Sequence, residues 1–214
     1  MKKEILNWLK FFQEIDVENL NLKKNLKKEK LWELEKDVLN CKACPLHEVK
    51  INYVFGEGNP GAEILFVGEA PGEDEDIQGR PFVGEAGKLL TKIIEGMKFN
   101  RDDVYIANVL KCRPPNNRNP KAPEIEQCKK YLIKQIEIIN PKVIIALGKI
   151  ASSTLSGENI SILSRRGEIL YFKNIPLIPT FHPAFILRNR HQEKMLKKLV
   201  WKDIKTALKI INRV

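Results

Sequence analysis

The chain has 214 residues, of which 43% are hydrophobic and 30% are charged, a composition typical of a folded globular protein. Its formal net charge of +10 favours a polyanionic partner, although lysine-rich helices also serve solubility alone. No apolar run approaches the ~20 residues that span a bilayer, and the first residues lack the apolar core of a signal peptide. We therefore expect a cytoplasmic protein without a membrane segment.

The N-terminal forty residues contain nine lysines and carry apolar residues at helical spacing. This periodicity predicts two amphipathic helices, at 2–15 and 25–40. A loop that bears cysteines is expected from residue 41 onward. We therefore divide the chain into an N-terminal helical extension, residues 1–40, and one domain, residues 41–214, which is long enough for a single substantial core.

Beyond residue 60, short apolar runs typical of buried strands alternate with longer amphipathic segments. The predicted strands are 63–67, 104–110, 143–147, 168–172 and 176–180, and the predicted helices are 85–97, 123–139, a short helix opened by Gly148, and 192–212. This alternation is typical of βαβ units, in which helices cover a mainly parallel sheet. The pattern therefore predicts an α/β fold.

The segment from Gly68 to Gly84, GEAPGEDEDIQGRPFVG, directly follows the first predicted strand. Parallel sheets bind ligands in the crevice beyond the carboxyl ends of their strands, and glycine and proline force an irregular turn there. Five carboxylates crowd the segment, which on its own is typical of a solvated acidic loop. Phe82, however, is held between residues that restrict the backbone, and this favours a shaped pocket.

Positive charge is concentrated in other parts of the chain than this acidic segment. Residues 63–86 hold one basic and seven acidic residues, whereas 111–134 hold seven basic and two acidic, and 182–214 hold nine basic and two acidic. Basic segments that flank a site with its own carboxylates favour nucleic acid as the partner.

Four cysteines, Cys41, Cys44, Cys112 and Cys128, form a C-x2-C pair followed at a distance by a C-x15-C pair. Disulfides are disfavoured in the cytoplasm, and the tight first pair lets two thiolates reach one metal centre. A zinc site usually closes with a second tight pair, and the wide second spacing fits a four-thiolate iron–sulfur cluster at least as well. Spacing alone leaves zinc and a cluster both open.

Four motifs in order, GEAPGEDED, GRPFVGEAGKLL, NVLKCRPPNNRNP and HPA at 182–184, together resemble those of the family 4 uracil-DNA glycosylases, the iron–sulfur members of their superfamily. The resemblance extends from about Cys41 to Asp203. It implies a three-layer α/β/α fold with a central four-stranded, mainly parallel sheet, and one 4Fe-4S cluster held by the four cysteines. It also implies an enzyme that flips uracil out of single- or double-stranded DNA and hydrolyses its N-glycosidic bond.

The resemblance assigns a role to three residues that contact the base. Phe82 is expected to stack on the uracil ring, and Asn108 to match the O4 and N3–H edge with its amide. Glu75 is expected to crowd the C5 carbon and so exclude thymine. Without the family motif, an asparagine at a strand end is more often a turn former.

Glu69, Ala70 and His182 complete the implied pocket. Glu69 and Ala70 are expected to line it with backbone amides facing the base, and His182 to donate a hydrogen bond to uracil O2, where charge develops as the bond breaks. Ala70 stands where the best-known branch of the superfamily has the aspartate that orients the water. Either Glu69 takes over that task, or the mechanism is largely dissociative and uses no general base.

An apolar triplet from Phe185 to Leu187 follows the histidine motif and precedes Arg188 and Arg190. One interpretation of the triplet is a buried helix start. The other, implied by the resemblance, is that Ile186 or Leu187 fills the space left by the flipped nucleotide while the two arginines hold adjacent phosphates.

Two other functions remain open at the level of the sequence. One is a non-catalytic iron–sulfur DNA-binding domain associated with replication, since similar domains are fused to some phage polymerases. The other is an electron carrier, which would have no use for the basic flanks. The enzyme is favoured by the complete set of candidate pocket residues, Glu69, Phe82, Asn108 and His182. We expect it to be a monomer that acts on uracil-containing DNA and does not associate with membranes.

Overall fold

The structure of the protein is a computed structural model that describes residues 22–213. The strands in chain order are β1 (Glu57–Gly58), β2 (Ile64–Gly68), β3 (Tyr105–Asn108), β4 (Val143–Leu147), β5 (Leu170–Phe172) and β6 (Ile175–Thr180). The helices are α1 (22–39), α2 (Leu46–Val49), α3 (Glu73–Gln78), α4 (Glu85–Gly96), α5 (Ala122–Ile139), α6 (Lys149–Ser156), α7 (Ile162–Arg165), α8 (Pro183–Arg188) and α9 (Glu193–Ile210). The helix predicted at 2–15 lies outside the described residues. In the described part of the chain, no helix combines the length and the apolar character that crossing a membrane requires.

The strands form one sheet in the order β1-β3-β2-β4-β6-β5. The four central strands run parallel, with Leu65 paired to Tyr105 and to Ile144, and Ile144 paired to Leu177. The prediction of a four-stranded sheet is wrong for the sheet as a whole, because a short antiparallel strand extends each edge of this parallel core.

Both edge strands are short for local reasons. β5 joins β6 through a tight turn in which Lys173 has a left-handed backbone conformation, with a φ of 52°, so the chain returns at once as an antiparallel hairpin. β1 has two residues, and at Gly58 the backbone lies so close to the Val104 carbonyl that a Cβ atom would collide with it. Neither strand is long enough to produce an alternating pattern in the sequence.

The side chains of the central strands point alternately to the two faces of the sheet. On β2, Leu65 and Val67 belong to one buried apolar cluster, and Ile64 and Phe66 belong to the other. Helices α1, α5 and α6 contribute to the first cluster, and helices α4, α8 and α9 contribute to the second. The prediction of a three-layer α/β/α fold is therefore confirmed.

Helix α1 packs directly on the first of these clusters. Its residues Leu31, Leu34 and Val38 are buried together with Cys112 and Cys128, because spacings of three and four residues place them on one side of the helix. The domain boundary at residue 40 stays a prediction. Wherever the boundary is drawn, α1 contributes residues to the core of the domain.

The acidic part of the segment after β2 is helical, so the expectation of an irregular loop is wrong for residues 73–78. Four carboxylates, from Glu73 to Asp76, lie in the first turn of α3. The positive end of a helix dipole stabilises negative charge at this position. Gly79 then ends the helix in a left-handed conformation, which glycine adopts without steric cost.

Candidate active site

A cavity of about 620 Å³ opens at the carboxyl ends of the parallel strands. Its size lies within the range of ligand-binding clefts, and its position is the one at which parallel sheets bind ligands. Its wall includes six predicted site residues, namely Glu69, Ala70, Glu75, Phe82, His182 and Arg188. Further wall residues come from the loop at 114–119 and from residues 161–163.

Gly68, the last residue of β2, brings Phe82 and Asn108 together. A Cβ atom at Gly68 would lie closer than 3.0 Å to both Asn108 Oδ1 and Phe82 Cζ. The two side chains therefore share the space that the bare glycine backbone leaves open. Asn108 ends β3 and is paired with Gly68 in the sheet, so it reaches this point from the neighbouring strand.

Asn108 is a buried polar residue with an unsatisfied acceptor. The residue is 2% exposed, and its Oδ1 is buried without a hydrogen-bond partner in the described structure. An unpaired buried acceptor costs about 1–3 kcal/mol, so a buried group of this kind requires an explanation. A ligand that presents an N–H or O–H donor would satisfy this oxygen.

Phe82 has a left-handed backbone conformation, with a φ of 52°, which is costly for a residue with a bulky side chain. The carboxylate of Glu75 holds this turn. Its Oε1 accepts hydrogen bonds from the backbone N–H groups of Val83, at 2.9 Å, and Gly84, at 3.0 Å, and its Oε2 accepts one from Gly72, at 3.0 Å. One oxygen of Glu75 thus holds the backbone directly after Phe82, and the other binds the N-cap residue of α3.

A second brace on the Phe82 turn comes from residues that no sequence motif indicates. Arg101 donates hydrogen bonds to the carbonyl of Pro81 and to the Glu57 carboxylate, the latter at 2.7 Å. Glu57 also accepts a hydrogen bond from Arg80, at 2.8 Å. These residues are separated widely in the chain and meet only because β1 adds to the edge of the sheet, so no local pattern could have found them.

His182 is held as a neutral imidazole by the helix that follows it. It caps α8, and its Nδ1 accepts a hydrogen bond from the backbone N–H of Ala184 at 3.1 Å. An accepting nitrogen carries no proton, so the proton lies on Nε2. Burial, aided by the charge of Arg188, lowers the pKa of His182 to about 4. Its ring lies 5.6 Å from the ring of Phe82, centroid to centroid, so a neutral donor stands beside the aromatic side chain.

Glu69 and Ala70 continue the chain from β2 into the cavity wall. The carbonyl of Glu69 accepts a hydrogen bond from the backbone N–H of Leu110 at 3.0 Å, which fixes its backbone against the end of β3. Burial raises the pKa of the Glu69 carboxyl, and the charge of Arg188 opposes this shift. The cavity therefore holds a carboxyl group that titrates above the usual range of glutamate.

The four predicted DNA-binding residues, on α8 and just after it, differ in depth. Ile186 is 0% exposed and belongs to the second apolar cluster, so as placed here it cannot contact DNA. Leu187 is half-buried, and Arg188 and Arg190 are exposed. The interpretation of a buried helix start therefore describes Ile186. Leu187 packs partly against the same cluster, and of the two exposed arginines Arg188 lies on the cavity wall.

The cavity falls within a segment that known proteins share. A sequence model described as the uracil DNA glycosylase superfamily matches residues 55–205, a range that contains every residue of the cavity wall. The chain belongs to the uracil DNA glycosylase superfamily.

Three curated relatives are named type-4 uracil-DNA glycosylases. The protein of Thermotoga maritima is 49% identical over 189 residues, which cover 87% of this chain and 97% of the relative. That of Archaeoglobus fulgidus is 47% identical over 167 residues, or 74% of this chain and 84% of the relative. That of Sulfurisphaera tokodaii is 48% identical over 177 residues, or 78% and 80%. This superfamily member is thus similar to type-4 proteins over most of its length.

The four cysteines of this superfamily member line one small cavity beside the first apolar cluster. All four are free thiols, and burial raises the pKa of Cys112 to about 12 and that of Cys128 to about 11. Thiols buried in this way ionise only when a bound cation compensates the charge. Within residues 22–213, no three His, Cys, Asp or Glu side chains gather closely enough to hold a single metal ion.

The chemistry of this cysteine cavity fits an iron–sulfur cluster. Four cysteine sulfurs are the ligand set of such a cluster, and here all four line one cavity. Zinc would instead require every sulfur to lie at about 2.3 Å from a single centre. The backbone N–H of Lys111 donates to Cys128 Sγ at 3.3 Å, and such bonds to sulfur are common around clusters. The hydroxyl of Tyr53 donates to the carbonyl of Cys41 at 2.7 Å, which helps to fix the first cysteine loop.

Lys111 joins the cysteine cavity to Asn108. Its side chain is 1% exposed, and its Nζ donates to the carbonyls of Asn108, at 2.9 Å, and Phe55, at 3.0 Å, and to Gln135 Oε1, at 2.6 Å. Its backbone contacts Cys128, so this one residue touches both sites. The sequence counts Lys111 among the basic residues available to DNA, and that interpretation is wrong because the ammonium group is buried.

Replacing Glu75 with alanine should loosen the turn that its carboxylate holds without unfolding the protein, because backbone N–H groups lose their acceptor. Hydrogen–deuterium exchange read by NMR should show faster exchange at the amides of Val83 and Gly84. Glu73→Ala removes an exposed carboxylate from the same helix and should leave these rates unchanged. Equal protection in the two variants would mean that other contacts hold the turn.

Proposed function

We propose that the protein excises uracil from DNA, binding the base at the edge of the sheet and hydrolysing its N-glycosidic bond to leave an abasic site. The observation that carries this proposal is the unpaired Oδ1 of Asn108, which lies beside the ring of Phe82. Superfamily membership and the names of the relatives support the same activity. A non-catalytic DNA-binding domain would have no use for Phe82, Asn108 and His182 in this arrangement.

Asn108 distinguishes uracil from cytosine by the pattern of donors and acceptors. Uracil presents an N3–H donor, which pairs with the free Oδ1, and an O4 acceptor, which pairs with the side-chain NH2. Cytosine presents an unprotonated N3 and an amino group, so both contacts oppose binding and the buried oxygen stays unpaired, at about 1–3 kcal/mol. Phe82 stacks on any base, for ~1–3 kcal/mol, so Phe82 supplies affinity and Asn108 supplies selectivity.

His182 assists cleavage as a fixed hydrogen-bond donor. Breaking the bond between the sugar C1′ and the base N1 leaves negative charge on the uracil, part of it on O2. The Nε2–H of His182 is the donor for this oxygen, and because the imidazole is neutral it stabilises the charge without giving up a proton. One positioned donor to a developing oxyanion contributes about 3–4 kcal/mol.

Glu69 is the residue through which the protein acts on the sugar side of the bond, since its neighbour Ala70 offers no polar side chain. When ionised, its carboxylate favours the positive charge that develops on the sugar and can orient the attacking water. Arg188 is exposed on the same wall, where its guanidinium can bind a phosphate next to the flipped nucleotide.

We further propose that Cys41, Cys44, Cys112 and Cys128 hold one 4Fe-4S cluster. When bound, the cluster supplies covalent links among the first cysteine loop, the segment after β3 and helix α5. Lys111 contacts both Cys128 and the carbonyl of Asn108. The positions of the cysteines therefore influence the position of Asn108, which we propose binds the base.

The proposed enzyme is a cytoplasmic monomer that acts on single- and double-stranded DNA, with an N-terminal extension at 1–40 and a glycosylase domain at 41–214. Four cysteines that form no disulfide with one another suit a reducing compartment. Exposed Arg188 and Arg190, together with the exposed lysines of α9, suit phosphate binding that weakens with salt.

Excision is tested by incubating the protein with an oligonucleotide that contains one uracil and then cleaving abasic sites with alkali. We expect strand cleavage at the uracil and none when thymine or cytosine occupies the same position. Intact strands after incubation with the folded, metal-loaded protein would overturn the proposal.

Asn108→Asp should lower the rate of uracil excision by roughly 100-fold, because a carboxylate offers O4 no donor and the lost contacts amount to about 2–3 kcal/mol. The measurement is the single-turnover rate on a uracil-containing oligonucleotide. Asn59→Asp is a matched control, since Asn59 Oδ1 accepts a hydrogen bond from Gly61 that a carboxylate retains. If both variants kept the wild-type rate, Asn108 would not read the base.

The rate should fall on the acid side of neutrality as Glu69 becomes protonated, because burial raises its pKa above the usual range. His182 does not contribute to this fall, since its pKa of about 4 leaves it neutral there. Residue 69 cannot titrate in Glu69→Gln, so this variant should be slower by roughly 100-fold at neutral pH, and its rate should not fall further as the pH is lowered to mildly acidic values. The measurement is the excision rate from pH 4 to 8. If Glu69→Gln showed the same fall in rate as the wild type, the fall would belong to another group.

Protein purified without oxygen should contain about four irons per chain and absorb broadly in the visible range. Cys112→Ser should lose iron and melt at a lower temperature, because a ligand is removed. Ala43→Ser places the same hydroxyl group on the wall of the cysteine cavity without removing a thiol, and it should keep both properties. Stoichiometric zinc in place of iron would contradict the cluster.

A further inference from the structure

Leu163 is an apolar side chain presented to solvent at the edge of the base cavity. It is 78% exposed, the highest value among the exposed large apolar residues of the described chain, and it lies on the cavity wall with Ser161 and Ile162. Single exposed leucines are common on protein surfaces, so exposure alone would carry no function. The position of Leu163 and the rigidity of its support are what set it apart.

Helix α7 has only four residues, yet it is held firmly. Arg165 binds Glu168, at 2.8 Å, and also Glu158. These contacts tie both ends of the segment around Leu163 to each other. The ion pairs of Arg165 thus link the backbone of α7 to residues on either side of it.

The next arginine ties α7 to the strand that carries the catalytic histidine. Arg166 donates to both oxygens of Asp203, at 2.5 and 3.0 Å, and Thr180 donates to the same carboxylate at 2.7 Å. Thr180 ends β6, two residues before His182. The place of Leu163 is therefore fixed relative to His182 by a buried network.

A second partly exposed apolar residue lies on a different element and is adjacent in the chain to a residue of the cavity wall. Leu187 is half-buried on α8, next to Arg188, which lies on the cavity wall and is exposed. Lys149, from the start of α6, is also an exposed wall residue. The surroundings of the cavity thus combine apolar side chains with cations, which matches a duplex whose bases are apolar on their faces and whose phosphates are anionic.

We propose that Leu163 is a DNA wedge, which enters the base stack of a duplex beside the flipped nucleotide from the α7 side, while Leu187 acts from the α8 side. The inference rests on the proposed function. Removing a base from a duplex breaks stacking and pairing, whereas a single strand requires little of either. An apolar side chain inserted at the gap compensates for this loss, so Leu163 matters for duplex substrates and not for single strands.

The test compares Leu163→Ala with the full-length wild-type protein on one uracil-containing sequence, offered as a duplex and as a single strand. We expect the single-turnover rate on the duplex to fall by about tenfold or more and the rate on the single strand to stay within about twofold. Leu163→Met should restore most of the duplex rate, because it keeps an apolar side chain of similar size. Leu39→Ala is the matched control, since Leu39 is 55% exposed on α1 and is not part of the cavity wall.

A binding measurement provides a readout that does not depend on catalysis. A fluorescent adenine analogue placed next to the uracil brightens when it unstacks, and we expect this signal on binding of wild-type protein to be weaker with Leu163→Ala. Equal duplex rates in Leu163→Ala and wild type would overturn the inference. An equal loss on duplex and single strand would also overturn it, because it would make Leu163 part of the base pocket.

Failure of the wider proposal gives a different result. If wild-type protein released no uracil from the single strand, the proposed function itself would fall, whatever Leu163→Ala did. Uracil release by the wild type with no duplex-specific effect of Leu163→Ala would leave the function in place and remove the wedge alone.

Discussion

The site depends on the missing side chain at Gly68. An aromatic ring and an amide that are distant in the chain share the space above that one backbone position, and a single methyl group would displace both. The fold creates the meeting point because β2 and β3 are adjacent parallel strands that end at paired residues. The contacts of Glu75 and Arg101 hold the ring, and the contacts of Lys111 hold the strand that carries the amide.

Several polar groups in this region lose favourable hydration. Asn108 has a buried acceptor without a partner, and desolvation lowers the pKa of His182 to about 4 and that of Lys111 to about 8. Groups like these cost stability, and the cost is tolerated where a substrate gains from it. The well-packed clusters on both faces of the sheet provide the free energy that lets the fold carry them.

How far the sequence predicts this molecule depends on whether a feature is local. Strands buried on both faces read as continuous apolar runs, so the parallel core and the place of the cavity could be predicted, while most of the candidate base-binding residues came from the resemblance of the motifs to a known family. The edge strands are too short to show a period, and the burial of Lys111 and Ile186 depends on partners elsewhere in the chain. The brace formed by Glu57 and Arg101 is likewise a product of the folded sheet, since its members are 44 positions apart in the chain.

The acidic helix α3 and Arg188 of α8 both contribute to the wall of the same cavity and carry opposite charge. A nucleotide has an uncharged base at one end and an anionic phosphate at the other. Coulomb repulsion keeps the phosphate away from Glu69 and Glu75, while Arg188 attracts it. For the nucleotide substrate proposed above, this charge distribution favours entry of the base into the cavity and disfavours entry of the phosphate.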